Sequence, residues 1–399
     1  MTIYLDNAAT TPLRPEALDA MLPFLRGDYA NPSSSHSAGQ KVRRALDDAR
    51  ERTAAALGAR PSEIVFTGSG SEADCLAIFG MLAASGTARG HFITSAIEHH
   101  AVLHAAGELR ARGHRVTILP VDRDGFVSEA ALDAALNERA GATLVSIMHA
   151  NNEIGTIEPI AKLAAVARAR GALFHTDAVQ TVGHIPIDVK ELDVDALTLS
   201  AHKFEGPKGV GALFVRNGVR VTPLVFGGGQ EGGRRSGTEN VAGIVGLSVA
   251  LELAVRESSP PHNGLPRTTA LRDQLIDGAL ASIPGSTLNG ARRERLPNSA
   301  SLRFEGVDGQ TVVLGLDLAE FATSTGSACT SGSLEPSHVL SAIGLTAPEA
   351  RGTVRFSLGR TTTTADVARL HMVLPGMIER LRTLTDALVI GGGATSRAE

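Results

Sequence analysis

Tryptophan is absent from the 399 residues, and tyrosine and cysteine occur only twice each. Two thiols, Cys75 and Cys329, are too few for a disulfide framework and point to a reducing compartment. The most apolar stretch, Val241 to Val255, is too short to span a bilayer and carries Ser248 and Glu252. The opening residues Met1-Thr-Ile-Tyr-Leu-Asp6 have neither the basic nor the apolar region of a signal peptide, so none is expected. The formal net charge of −4 lacks the positive excess that attracts nucleic acid or anionic membranes. No internal repeat is apparent. A cytoplasmic protein is expected, with no nucleic-acid or membrane partner.

The chain is long enough for two domains with a large core, and its 43 glycines suit an α/β enzyme with many tight turns. Short apolar runs at 63–67, 91–95, 116–121, 143–148, 173–177 and 196–200 read as strands. Helical patterns lie at 39–57, 75–82, 100–112, 128–137 and 159–170. Such alternation predicts an α/β fold with a mostly parallel sheet flanked by helices. Ser258-Ser-Pro-Pro-His-Asn-Gly264 breaks the helical pattern and marks a boundary. Residues 16–257 are then a large domain, and 1–15 with 265–390 a smaller α+β one. The tail 391–399 is expected to be disordered.

In open α/β sheets ligands bind at the carboxyl ends of strands. Four polar clusters fall at that predicted edge: Glu98-His99-His100, Asn151-Asn152-Glu153, Asp177-Ala-Val-Gln180 and Ser200-Ala-His202-Lys203. A lone loop lysine is ordinarily a solvated one. A lysine delivered off a strand end can instead condense with a carbonyl cofactor when partly desolvated. Ser200 and His202 beside Lys203 carry donors suited to a phosphate. The turn Gly68-Ser-Gly70-Ser71, between a strand and a helix, leaves unpaired N–H groups where an anion can sit. Phe226 to Gly237, rich in glycine and arginine and followed by Thr238, is either a connector or a second set of phosphate donors. Pyridoxal 5′-phosphate requires a lysine, a carboxylate for its ring nitrogen, a ring to stack on it and phosphate donors. Lys203, Asp177, one of His99 or His100, and Gly70-Ser71 supply that set.

Cys75 falls within an apolar helical pattern and reads as a packing residue. Cys329, in Ala322-Thr-Ser-Thr-Gly-Ser-Ala-Cys-Thr-Ser-Gly-Ser333, has no apolar periodicity around it and is a candidate nucleophile. Arg355, in Val354-Arg-Phe356, could hold a substrate carboxylate or be an ordinary strand arginine.

These motifs, running from Tyr4-Leu-Asp-Asn-Ala-Ala-Thr-Thr-Pro12 through Asn151-Asn-Glu-Ile-Gly155 and Ser200-Ala-His-Lys203 to Gly326-Ser-Ala-Cys-Thr330 and Arg355-Phe-Ser-Leu-Gly359, together resemble the cysteine desulfurases of the NifS/IscS-like class. The resemblance implies a fold-type I pyridoxal-phosphate transferase, with Lys203 carrying the cofactor and His99 stacking on it and moving protons. By the same resemblance Asp177 and Gln180 meet the ring nitrogen and phenolic oxygen. Gly70, Ser71, Ser200 and His202 hold the phosphate, with Thr238 of the partner in a homodimer. Asn152 and Arg355 are implied near the phenolic oxygen and the carboxylate of L-cysteine. Cys329 is implied to become a persulfide that passes its sulfur to an iron–sulfur scaffold or another acceptor protein, where it could transiently ligate a cluster; no resident metal is expected. Two departures from the family pattern, Gly70-Ser71 for Ala-Thr and Cys75 for Asn, remove no catalytic group. A selenocysteine lyase, an aminotransferase of the same fold or a non-catalytic partner in sulfur transfer are the other readings.

Overall fold

The computed structural model describes residues 2–138, 143–258, 264–326 and 336–392, the last eight in backbone only. Twelve strands are present among the described residues. They are β1 (Ile3–Tyr4), β2 (Ile64–Thr67), β3 (His91–Ser95), β4 (Arg115–Leu119), β5 (Thr143–Ser146), β6 (Leu173–Asp177), β7 (Ala196–Ser200), β8 (Gly211–Val215), β9 (Ser286–Leu288), β10 (Ser299–Phe304), β11 (Phe321–Ala322) and β12 (Thr353–Ser357).

Seven of them form one sheet in the order β2-β8-β7-β6-β5-β3-β4. β8 alone runs antiparallel to its neighbours, pairing with β2 and β7. The continuous apolar character of these strands follows from cover on both faces. On one face lie the helices α1 (Pro15–Arg26) and α2 (Ser37–Ala56) with helices 160–169 and 241–258, sharing a core with Leu46, Phe66, Val145, Leu163, Phe174, Leu199 and Leu247. On the other lie α3 (Gly70–Ala84) and α4 (His100–Ala111), packing Leu76, Ile78, Val102 and Leu109 on Val65, Phe92 and Leu213.

A second core surrounds the antiparallel sheet β12-β10-β9 and includes Leu5, Leu275, Leu302, Phe304, Phe321, Phe356 and Leu374. β1 pairs in parallel with β11, so the amino terminus joins this second core. Helix 364–392 extends two residues into the stretch expected to be disordered, because its apolar positions Val367, Leu370, Leu374 and Ile378 anchor it on that core. Residues 393–399 lie outside the described residues, as do 259–263 of the expected boundary. Ser258 and Gly264 themselves close one helix and open the next. No described helix is long and apolar enough to cross a membrane.

Candidate active site

The four polar clusters converge as expected. β3, β5, β6 and β7 run parallel, so the segments that follow them emerge at one edge. There a cavity of about 510 Å³ is lined by Gly70, Ser71, His99, Asn152, Asp177, Gln180, Ser200, His202, Lys203 and Arg355. Ten of the twelve residues singled out for the site therefore surround one space. Cys329 lies outside the described residues, although Gly326, three positions before it, lines the cavity. Thr238 is exposed and lines a neighbouring depression with Arg235 and Gly237, not the cavity itself.

Lys203 ends a single 3₁₀ turn that follows β7. Its Nζ donates to the carbonyls of Ala8 and Ala9 at 2.6 and 2.9 Å. The amino-terminal motif is laced onto this turn: Thr11 donates to the His202 carbonyl from both N–H and hydroxyl at 2.9 Å, and Gln180 Nε2 donates to Ala8 O at 3.1 Å. Burial lowers His202 to about 4, helped by the charges of Lys203 and Lys208, so its ring is neutral.

The turn before α3 holds its own donors in place. Ser69 caps the helix by accepting from Glu72 N at 3.1 Å. A Cβ on Gly70 would stand 3.0 Å from Val179 Cγ2 and 3.2 Å from Ser200 Cβ, so glycine lets this turn close on the strand ends. Unpaired first-turn N–H groups and the hydroxyls of Ser71 and Ser200 then face the same space, a donor set that fits a phosphate.

Asp177 ends β6, is buried, and accepts from Val179 N at 2.9 Å. Burial pushes its carboxyl up to about 6, opposed by that hydrogen bond and by the Lys203 charge. A cation such as a pyridinium would favour the ionised form, so the residue suits a protonated ring nitrogen. The residues present fit pyridoxal phosphate.

Of the two adjacent histidines, His99 lines the cavity. His100 packs instead against His338 and His104, with ring centroids 4.8 and 5.3 Å away. Burial, and then the Lys203 charge, lower His99 to about 4, leaving it neutral and able to accept a proton.

Arg355 differs from an ordinary strand arginine in being 2% exposed. Its Nη2 donates to Asp6 Oδ1 at 2.8 Å and its Nη1 to the carbonyls of Asn152 and Gly326 at 2.9 and 3.2 Å. Among the described residues its Nε is buried without a partner. Both stems of the segment carrying Cys329 are also tied here. Arg355 N donates to Ser324 O at 2.6 Å, and Ser337 Oγ donates to Glu153 Oε2 at 2.6 Å.

Cys75 is half-buried, not a core residue. α3 is apolar around most of its circumference, so periodicity could not separate its core-facing side from the side that opens beside His100 and His104. Burial first, and then the Glu72 charge, raise its thiol pKa, which disfavours the nucleophilic thiolate. Sequence reasoning also missed Asp6 as the partner of Arg355 and Asp74 as part of the cavity wall. Asp6 sits in a recognised motif, yet no spacing rule links it to a residue 349 positions away.

A model of the aminotransferase class-V family matches residues 3–370. The chain is 51% identical over 383 residues to "Cysteine desulfurase IscS" of Dictyoglomus turgidum, covering 96% of each protein. It is 48% identical to the protein of that name from Methanosarcina thermophila, over 96% of this chain and 93% of the other. Among solved structures, a NifS-like protein superposes with a TM-score of 0.86 at 35% identity, covering 97% of this chain and all of the other. SspA in complex with cysteine does so with a TM-score of 0.79 at 38% identity, over 91% of this chain and all of the other.

Proposed function

Because the chain belongs to the class-V aminotransferases, pyridoxal-phosphate enzymes, and within them to the cysteine desulfurases, we propose that it takes sulfur from L-cysteine with the residues described above. The observation that carries the assignment of roles is the convergence of Lys203, Asp177, His99 and Arg355 on one cavity.

Lys203 would carry the cofactor, Asp177 and Gln180 would meet its ring nitrogen and phenolic oxygen, and Gly70, Ser71, Ser200 and His202 would hold its phosphate. When bound, pyridoxal phosphate supplies an electron sink for the bonds broken at Cα and Cβ of the substrate. Arg355, aligned by Asp6 and lining the cavity, would hold the substrate carboxylate, with Asn152 beside it. Lys203 Nζ, freed once the substrate amine takes its place, would accept the Cα proton, and neutral His99 is placed to move protons within the cavity. The Cys329 thiolate attacks the substrate sulfur. The Cβ–S bond breaks, an S–S bond forms, and the carbon skeleton takes up protons to leave as L-alanine. The Cys329 persulfide then passes its outer sulfur to an acceptor, an iron–sulfur scaffold or another sulfur-accepting protein.

The active form in this reading is a cytoplasmic homodimer with Thr238 completing the partner's phosphate site. In support, Thr238 is exposed beside the cavity, and Leu224, Val225 and Phe226 place apolar surface just before the glycine-rich loop, Phe226 at 80% exposure. Mixing inactive Lys203→Ala and Thr238→Asp chains should restore activity in heterodimers; no recovery in proven heterodimers refutes a shared site. The domain division at 258–264 is likewise proposed, since the large sheet's core is built from residues before it, and the second core from residues after it together with Ile3 and Leu5.

Incubating the cofactor-loaded protein with L-cysteine should release alanine in step with transferable sulfur. Alanine formed only from selenocysteine, or transfer of the amino group to a keto acid without sulfur release, would replace this reading with a lyase or an aminotransferase.

A further inference from the structure

Asp74 has no part in the chemistry above, yet it lines the same cavity as Asp177 and is 1% exposed. It stands in the first turns of α3, facing β6 and β7. The basic group nearest to it is His175, whose Nε2 is 3.7 Å from Asp74 Oδ1. That ring is no counter-ion. Its nitrogens lie 2.9 Å from the Ser146 and Thr198 hydroxyls, and burial lowers it to about 3. Among the described residues no lysine or arginine pairs with Asp74, and Oδ1 has no hydrogen-bond partner. Only the Thr198 hydroxyl favours its charged form.

The charges that bear on it are acidic, Asp177 on β6 and Glu98 after β3; Lys203, Lys208 and Arg355 line the same cavity, but among the described residues none of them forms an ion pair with it. A buried carboxylate with an orphan oxygen and no paired cation is costly, and the Asp177 charge in the same wall adds to that cost. Asp177 is the better anion of the two, because Val179 N donates to it and Lys203 stabilises its charge.

We propose that Asp74 is a positioning residue of the cofactor site: a neutral carboxylic acid in the wall it shares with Asp177, leaving Asp177 as the single negative charge offered to the ring nitrogen. The inference rests on the cavity being the pyridoxal-phosphate site, but its test reads the protonation of Asp74 in protein without cofactor.

Infrared spectra of apoprotein labelled with [4-¹³C]aspartate separate aspartic acids from Glu98 and Glu158, both pushed up to about 8. At pH 7 a label-shifted absorption of a protonated carboxyl is expected in the wild type and in Asp177→Asn, and should vanish in Asp74→Asn. Asp74→Asn, which mimics the neutral acid, should bind pyridoxal phosphate within about threefold of the wild type, whereas Asp177→Asn should lose about tenfold or more. A wild-type spectrum without protonated aspartic acid at pH 7 overturns the proposal even if Asp74→Asn fails to fold. So does an Asp74→Asn protein as weak for the cofactor as Asp177→Asn. Failure of desulfurase activity alone would bear on the reading of the reaction and not on this one.

Discussion

The two sheets contribute to the cavity in different ways. The seven-stranded sheet delivers Asp177, Ser200 and Lys203 at or just beyond strand ends, where parallel topology gathers whatever follows the strands. The three-stranded sheet delivers Arg355 from the middle of β12, between Ser301 on β10 and a bridge to Ser324. A strand-end residue is placed by the fold and can be polar without upsetting the sheet. A charged residue inside a buried strand needs partners, and Arg355 finds them in Asp6 and two carbonyls drawn from three distant segments. In the proposed reading the large sheet positions the groups that meet the cofactor, while the position of Arg355 depends on how the amino terminus and the β5–β6 connection meet β12.

The most severe way to break this contrast is at the large sheet. Lys203→Ala should abolish borohydride-trapped cofactor and reduce alanine formation by several orders of magnitude. Trapping on a different lysine would remove Lys203 from its role.

At the small sheet the loss should fall on substrate binding. Arg355→Lys keeps the charge but loses the forked donor geometry, so KM for L-cysteine should rise about tenfold or more while cofactor content stays near that of the wild type. Loss of the cofactor with unchanged KM would place Arg355 on the cofactor side of the contrast. Asp6→Asn should shift KM in the same direction by less, since the carbonyl contacts remain.

The smallest effect concerns Glu98, which precedes His99 in sequence and is buried outside the cavity lining. Glu98 accepts from Met148 N and Ser95 Oγ, has no partner for Oε2 among the described residues, and is pushed by burial up to about 8. The folded protein therefore holds a proton there that the unfolded chain releases near its ordinary value of 4.5. Between those pH values the unfolded state binds fewer protons, so this group's contribution to stability is lost as pH rises, by at most about 1.4 kcal/mol per unit. Glu98→Gln should accordingly gain stability relative to the wild type from pH 5 to pH 8 in thermal unfolding. A difference independent of pH would mean that Glu98 is ionised in the fold.

The same contrast explains what was legible in the sequence. Alternating strands and helices gave the sheet, and with it the edge where Asp177, Ser200 and Lys203 had to fall. Arg355 was ambiguous because burial in β12 and pairing with Asp6 are tertiary facts. Cys75 was misjudged because α3, covered on nearly every side, has no polar stripe to mark its open face. The residue pattern alone did not separate His99 from His100, and only the family resemblance chose His99; the start of α4 places His99 on the cavity and His100 against His338.

The two cysteines give the most direct test of the central claim. After incubation with L-cysteine and no reductant, mass spectrometry of the proteolysed protein should find one added sulfur on the Cys329 peptide and none on that of Cys75, whose thiol is held protonated. Cys329→Ala should still bind pyridoxal phosphate but lose sulfur transfer and alanine formation. Sulfur carried on Cys75, or undiminished alanine release by Cys329→Ala, would contradict the account.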